Sequence, residues 1–155
     1  DHMLTQLARH GDIDLDVSAS GDTEIDEHHT VEDVALALGE AFDRALGQRS
    51  GIERFGFLLP MDDALAQVAL DFGGRPCLVW DVRFSTERTG GIGNDMFRHF
   101  FNSFCDSARC NLNIKAEGYN DHHKVEAIFK AFARSVRMAV SHTGSDKIPS
   151  TKGVI

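Results

Sequence analysis

The sequence predicts an α+β fold of two similar half-domains, in which helices pack on mixed sheets. Amphipathic runs with helical spacing alternate along the chain with shorter runs typical of strands. The motif HHTVE at residues 28–32 returns as HHKVE at residues 122–126, 94 positions later (122 − 28). Because 155 residues fit one domain, the repeat lies inside it, and we expect half-repeats of about residues 1–60 and 61–155.

The first half is predicted to run helix, strand, helix. Apolar residues at helical spacing predict a short helix over residues 1–10, which Gly11 would end. Apolar and polar residues alternate from 13 to 17, which is the pattern of a half-buried strand. An amphipathic pattern from 30 to 46 predicts a longer helix that ends at Gly47. The next stretch, residues 51–60, is predicted to be a connection.

The second half is predicted to run strand, strand, helix, strand, helix. Its first two strands flank Gly73-Gly74, and Gly90, Gly91 and Gly93 are expected to form a flexible loop. The predicted elements cover residues 64–72, 76–84, 94–108, 110–116 and 122–140. If the halves are alike, the first half lacks a hairpin that should precede its first helix. We therefore expect the chain to be N-terminally incomplete.

Composition excludes two classes of partner. The formal charge of −8 argues against nucleic acid, which needs a basic face. No apolar run approaches the ~20 residues that cross a bilayer, so no membrane contact is expected. The three cysteines are odd in number and lack metal-type CxxC spacing. They predict reduced thiols in the core of a cytoplasmic protein.

Each HHxxE motif predicts metal ligands. Residues four apart lie on one helix face, so the first histidine and the glutamate of a motif can hold one ion. The second histidine points about 100° away and can reach another ion. Two further histidines lie at roughly matching places in the repeat (99 − 2 = 97). The predicted ligand set is His2, His28, His29, Glu32, His99, His122, His123 and Glu126.

Divided over two ions, this set gives three imidazoles and one carboxylate each. Such ligands suit Mn, Fe, Zn or Ni rather than Ca or Mg. The predicted partition is His28, Glu32, His99 and His123 for one ion, and His2, His29, His122 and Glu126 for the other. The run Met61-Asp62-Asp63, after Pro60, is predicted to be a turn before a strand, or to orient a metal ligand from outside the coordination shell.

A second group of residues is cationic or hydroxylic and predicts a phosphate pocket. Arginine forks suit a phosphate dianion, and hydroxyl and ammonium groups add donors. The candidates are Arg54, Arg75, Lys130, Ser150, Thr151 and Lys152. His10 is a further candidate for the substrate, although the helix dipole alone would favour a histidine at that helix end.

From these residues alone, three functions stay open. A metal-dependent enzyme could act on a small phosphorylated molecule. A di-metal phosphate-ester hydrolase could use two ions to activate water. A metal-stabilised assembly protein without chemistry could use the ions only to join subunits. The product released separates these alternatives.

The order and wording of several motifs resemble one known family. The motifs are DHML at 1–4, GDTEIDEHHTVED at 21–33, PMDD at 60–63, NDHHKVE at 120–126 and PSTKG at 149–153. They resemble imidazoleglycerol-phosphate dehydratase of histidine biosynthesis, and the match covers nearly the whole chain. The link FGFLLP at 55–60 resembles the form fused, in some bacteria, to a histidinol-phosphate phosphatase, which is not present here.

The resemblance implies a lyase that removes water from imidazole glycerol phosphate to give imidazole acetol phosphate. It implies two Mn²⁺ per active site, with sites between subunits of a homo-oligomer of 24 chains. By position, the eight residues named above are the metal ligands, and Arg54, Arg75, Ser150 and Lys152 contact the phosphate. Glu32 or Glu126 is expected to change from ligand to base as the catalytic carboxylate.

Overall fold

The computed structural model describes residues 1–56 and 59–155. In this part of the chain, one mixed five-stranded sheet carries helices on one face, with a separate two-stranded hairpin. The predicted α+β class is therefore confirmed. No helix in these residues combines the length and the apolar composition that a membrane span requires.

Four helices form at the predicted places, because their apolar spacing gives each a buried face. The bounds are α1 His2–Gly11, α2 His28–Leu46, α3 Asp95–Ala108 and α4 Asp121–Ala139. α3 and α4 contact the sheet, while α1 packs mainly on α4 and α2 mainly on α3. Gly47 ends α2 with φ 51°, in the left-handed region that glycine tolerates best.

The described residues also form seven short strands. They are β1 Phe55–Gly56, β2 Leu59–Met61, β3 Ala64–Asp71, β4 Cys77–Val82, β5 Arg88–Thr89, β6 Ile92–Gly93 and β7 Asn111–Glu117. β7 is central, antiparallel to β3 and parallel to β4. β1 and β2 both pair along the other edge of β3. β5 and β6 form the hairpin.

The core lies between the sheet and the helices. Alternate residues of β3 are buried beneath α4, and the intervening ones, such as Leu65, face outward. Phenylalanines from α3 and α4 interlock over this surface. The Phe132 ring lies 5.3 Å from that of Phe101 and 5.1 Å from that of Phe104, in edge-to-face geometry. This packing fixes α4, which carries the second HHxxE motif.

Three details of the predicted topology were wrong. The two strands around Gly73-Gly74 are not neighbours, because β7 lies between them and buries Leu112 and Ile114. The predicted connection 51–60 contains β1 and the start of β2, and its residues 57 and 58 lie outside the described part. The predicted flexible loop is a tight hairpin instead, with Gly90-Gly91 at φ 59° and 88° as a two-residue turn.

The strand predicted over residues 13–17 also does not form. Ile13 and Leu15 pack against the core and Val17 is 44% exposed, so the alternation reflects real half-burial. Within the described residues, however, no other strand pairs with this segment, and a ladder needs a partner. The first half is therefore helix, extended segment, helix.

Candidate metal centre

The first turns of α2 and α4 are held by matching hydrogen bonds. Asp26 Oδ1 accepts from the backbone N–H of His28 at 2.9 Å. Asn120 Oδ1 accepts from the backbone N–H groups of His122 at 2.9 Å and His123 at 3.3 Å. The two acceptor residues are 94 positions apart (120 − 26), the spacing of the motifs. Asn120 is the N-cap of α4, whereas Asp26 precedes Glu27, the N-cap of α2, so side-chain acceptors hold both helix starts but only α4 has a side-chain cap.

The acidic residue before each His-His pair holds a segment that we call the bridging segment, residues 85–94. At one end of it, Glu27 Oε1 accepts from Gly93 N–H at 2.8 Å and from Arg88 Nη2 at 3.0 Å. The Gly93 hydrogen bond, with help from Arg88, holds the pKa of Glu27 below its usual value. Glu27 is thus committed to a structural contact just before α2.

Asp121, which follows Glu27 by 94 positions (121 − 27), anchors the other end. Its Oδ2 accepts from the N–H and the hydroxyl of both Ser85 and Thr86, at 2.8 to 2.9 Å. Lys124 Nζ lies 2.6 Å from Oδ1. Burial raises the pKa of Asp121, but hydrogen bonds from Lys124, Thr86 and Ser85 lower it more, so the net pKa is well below normal. One segment therefore ties together the starts of α2 and α4.

The first cluster consists of His28 and Glu32 from α2 and His99 from α3. Glu32 Oε2 lies 3.9 Å from His28 Nε2 and 3.5 Å from His99 Nε2. The two imidazole ring centroids are 4.4 Å apart. One ligand atom from each residue lies within 4.8 Å of the others, close enough to hold a single ion. His99 Nε2 is buried and has no hydrogen-bond partner in the described chain.

The second cluster consists of His2 from α1 with His122 and Glu126 from α4. Glu126 Oε2 lies 3.9 Å from His2 Nε2 and 3.5 Å from His122 Nε2. The imidazole rings stack with centroids 6.1 Å apart and 12° between their planes. These three ligand atoms also lie within 4.8 Å of one another. The fold thus repeats one arrangement of two imidazoles and one carboxylate.

Lys130 places a positive charge beside the second cluster. Its Nζ lies 2.6 Å from Glu126 Oε1 and 3.4 Å from the sulfur of Met61. Burial raises the pKa of Glu126, but the hydrogen bond and charge of Lys130 outweigh burial and lower the pKa overall. In the described residues no lysine or arginine pairs with Glu32. The two glutamates therefore differ in their charged neighbours despite matching positions.

Two of the predicted ligands lie in neither cluster. The side chain of His29 is 80% exposed, and its Nδ1 is 4.0 Å from Asp26 Oδ1. His123 Nδ1 lies 2.6 Å from Asp63 Oδ1, and this contact raises the pKa of His123 and lowers that of Asp63. Within one chain, three of the four ligands predicted for each ion come together, and His29 and His123 are the exceptions.

The predicted phosphate residues lie in several places. Arg54 donates to Asp71 through Nε at 2.5 Å and Nη2 at 2.8 Å, and its Nη1 donates to the Pro149 carbonyl at 2.9 Å. Arg54 therefore holds the start of the tail. The end of the tail, at Ile155, lies against Gly74, next to the exposed Arg75.

Within the tail, the backbone N–H of Lys152 donates to Ser150 Oγ at 3.2 Å, and the exposed Thr151 lies between them. Lys130 lies instead beside the second cluster. His10 Nε2 hydrogen-bonds Gln6 Oε1 at 2.9 Å on α1. In the described residues the tail thus contacts Arg54 and Gly74, whereas the hydrogen bonds and ion pair of His10 and Lys130 are with Gln6, Met61 and Glu126.

A cleft of about 850 Å³ opens beside the second cluster. His2 and His122 line it together with apolar side chains that include Val31, Met96 and Phe97. A cleft of this volume suits a small molecule.

The sequence analysis did not predict the residues that hold the starts of α2 and α4. Neither Glu27 and Asp121 nor Asp26 and Asn120 were predicted to have a role. A signal was available, because each pair shares the 94-residue spacing of the motifs (121 − 27 and 120 − 26).

Fold and site together define the class: an α+β protein with two candidate transition-metal centres built from paired His-His-x-x-Glu motifs. The family model for imidazoleglycerol-phosphate dehydratase matches residues 1–136. The chain belongs to this family of enzymes.

Curated relatives carry two kinds of name. The histidine biosynthesis bifunctional protein HisB of Spirosoma linguale is 61% identical over 157 residues, covering 100% of this chain and 41% of that protein. The imidazoleglycerol-phosphate dehydratase of Methanococcoides burtonii is 52% identical over 156 residues, covering 100% of this chain and 81% of that protein. The chain thus spans about two fifths of the bifunctional relatives.

Solved structures of enzymes from this family match the fold of the chain. The crystal structure of imidazoleglycerol-phosphate dehydratase from Staphylococcus aureus N315 matches with a TM-score of 0.85 and 34% identity, covering 92% of this chain and 82% of that one. The Pyrococcus furiosus enzyme in complex with (S)-C348 matches with a TM-score of 0.80 and 31% identity, covering 99% and 84%.

Proposed function

We propose that this chain catalyses the dehydration of imidazole glycerol phosphate to imidazole acetol phosphate in histidine biosynthesis, as a cytoplasmic enzyme with two Mn²⁺ per active site. One observation carries the proposal. A chain of the dehydratase family holds two clusters of two imidazoles and one glutamate, each with its ligand atoms within 4.8 Å. The high identity to bifunctional HisB supports a role as the dehydratase part of such a protein.

The residues of each cluster fit a transition-metal ion. His99 Nε2 is buried without a hydrogen-bond partner in the described chain, and a buried polar atom of this kind calls for a ligand. His28, Glu32 and His99 would hold one ion, and His2, His122 and Glu126 the other. When bound, the ions would supply Lewis acidity to the imidazole ring of the substrate.

The two glutamates are the proposed catalytic carboxylates, with different tasks. Lys130, 2.6 Å away, keeps Glu126 ionised. Glu126 is therefore a weak base and suited to remain a metal ligand. In the described residues, the ionisable partners of Glu32 are the imidazoles of His28 and His99 alone. Its side chain is 37% exposed. We assign Glu32 the role of changing from metal ligand to base and accepting the proton that leaves carbon, because its side chain is partly exposed and no lysine pairs with it in the described residues.

The phosphate group needs cationic and hydroxyl donors away from the reacting carbon. Ser150, Thr151 and Lys152 lie on a tail that Arg54 holds at one end and that reaches Gly74, next to Arg75, at the other. This grouping supports the tail and Arg75 as the phosphate-binding set. Lys130 and His10 lie on α4 and α1, where they could contact the rest of the substrate.

Assembly completes the proposed site. Each cluster offers three ligands, whereas the sequence offers eight for two ions. His29 is the exposed ligand left over on α2, and His123 is the one left over on α4. We propose that each enters a cluster of a neighbouring copy, so that the active sites lie between subunits of a homo-oligomer. We propose 24 copies, as the resemblance to the family implies.

A direct assay tests the function. Purified chain is incubated with imidazole glycerol phosphate, with and without Mn²⁺, and the ketone product is measured by its absorbance in alkali. A dehydratase forms this product only with Mn²⁺. Release of inorganic phosphate would indicate a hydrolase instead, and neither product would indicate a purely structural role for the ions. His99→Ala removes a proposed metal ligand. Its matched control is His142→Ala, which replaces an exposed histidine outside both clusters.

A further inference from the structure

Asp63 holds three donors with one carboxylate, at the turn between β2 and β3. Its Oδ1 accepts from His123 Nδ1 at 2.6 Å. Its Oδ2 accepts from the backbone N–H groups of Tyr119 at 2.6 Å and Asn120 at 2.9 Å. The same carboxylate thus fixes the turn that leads into α4 and the ring of the second histidine of that helix.

The chemistry of these bonds determines where the ring proton lies. An ionised carboxylate only accepts hydrogen bonds, so the Nδ1 of His123 must carry the proton. In neutral imidazole the lone pair is then on Nε2, the atom through which the ring can bind a metal. The exposed carboxylate of Asp62 has its Oδ2 4.0 Å from this atom, beyond hydrogen-bonding distance.

Among the described residues, none makes such a hydrogen bond to the ring of His29, the residue 94 positions earlier (123 − 29). Its Nδ1 is 4.0 Å from Asp26 Oδ1, which is too long for a hydrogen bond, and its side chain is 80% exposed, against 29% for His123. Histidines at matching positions of the two motifs therefore have different surroundings.

We propose that Asp63 is a positioning residue, which fixes His123 in the Nδ1–H tautomer and leaves its Nε2 as a preorganised metal ligand for the cluster of a neighbouring copy. The metal-binding part of this inference rests on the proposed function. Carboxylates behind metal-binding histidines orient the ring and increase its basicity. His29 is the unsupported counterpart, whose ring becomes ordered only when it binds.

The ring nitrogens can be observed directly. Solid-state ¹⁵N NMR of histidine-labelled, metal-free protein distinguishes the two tautomers at any assembly size, and His123→Gln and His29→Gln assign the two signals. In the parent protein we expect a single Nδ1–H tautomer for His123 and a mixture for His29. A mixture at His123, or the Nε2–H form alone, would overturn the proposal without any variant of Asp63.

Variants test the cause. In Asp63→Asn one of the two oxygens becomes an amide that donates, so the His123 signal should lose its single tautomer. Asp62→Asn, the matched control one residue away, should leave it unchanged. Asp63→Glu restores an ionised acceptor and should recover part of the Nδ1–H signal. Equal effects of the Asp62 and Asp63 amides would contradict a role specific to Asp63.

Metal binding gives the second readout. Titration of Mn²⁺ should show about 10–100-fold weaker binding at one class of site in Asp63→Asn, and unchanged binding in Asp62→Asn. If the tautomer changes as expected but Mn²⁺ affinity does not, the metal role of His123 is wrong. If the parent has no dehydratase activity while the tautomer and affinity results hold, the proposed function fails and the positioning role of Asp63 remains.

Discussion

Removing the carboxylate of Asp121 should destabilise the chain by about 3–5 kcal/mol, because it strands a buried charge. Asp121 is 7% exposed and Lys124 is 4% exposed, with Nζ and Oδ1 2.6 Å apart. In Asp121→Ala the ammonium of Lys124 keeps only the Arg83 carbonyl, 2.6 Å away, as a hydrogen-bond acceptor in the described structure. Four hydrogen bonds from Ser85 and Thr86 to one oxygen are lost as well.

Urea unfolding at one fixed protein concentration measures this loss as a shift in midpoint at nearly constant slope. For a chain of this size each kcal/mol shifts the melting temperature by about 2–4 °C, so a decrease of roughly 6–20 °C is expected. Asp121→Ala combined with Lys124→Met removes the stranded charge and should recover part of the loss. The reasoning is refuted if Asp121→Ala costs less than about 1 kcal/mol, or if the double variant is no more stable than the single one.

Three further outcomes are expected. Phe132→Ala should cost about 3–5 kcal/mol in urea unfolding, because the ring is fully buried, whereas exposed Met138→Ala should change stability little. The folded pKa of Asp121 lies below its ordinary 3.8, so its stabilisation is present above that value and is lost as pH falls. The difference in unfolding free energy between the parent and Asp121→Asn should therefore shrink from about pH 5 to about pH 3, and a constant difference would contradict it. His99→Ala should bind one Mn²⁺ fewer per chain by metal analysis, and His142→Ala the same number as the parent.

The helices could be predicted from the sequence because their signals are local. The apolar spacing of α2, and the glycine that ends it, lie within twenty consecutive positions. The sheet order could not be predicted in this way. β3 pairs with β7, so Leu70 lies opposite Leu112, and no local pattern encodes contacts over that distance. The alternation at residues 13–17 shows half-burial, but it does not reveal whether a partner strand is present.

The candidate site divides in the same way. Helical spacing alone pairs His28 with Glu32, because residues four apart share a face. That His99 joins this pair depends on how α3 packs against α2, which only the tertiary structure provides. The different surroundings of His29 and His123 could not be predicted from the sequence either, because the two motifs are nearly identical.

The central claim is that two three-residue clusters of one chain each bind a transition-metal ion. Anomalous X-ray diffraction at the manganese edge, on crystals of the Mn²⁺-loaded protein, tests this directly. We predict two strong peaks per chain, one among His28, Glu32 and His99 and the other among His2, His122 and Glu126. A single peak, or peaks away from these side chains, would contradict the account.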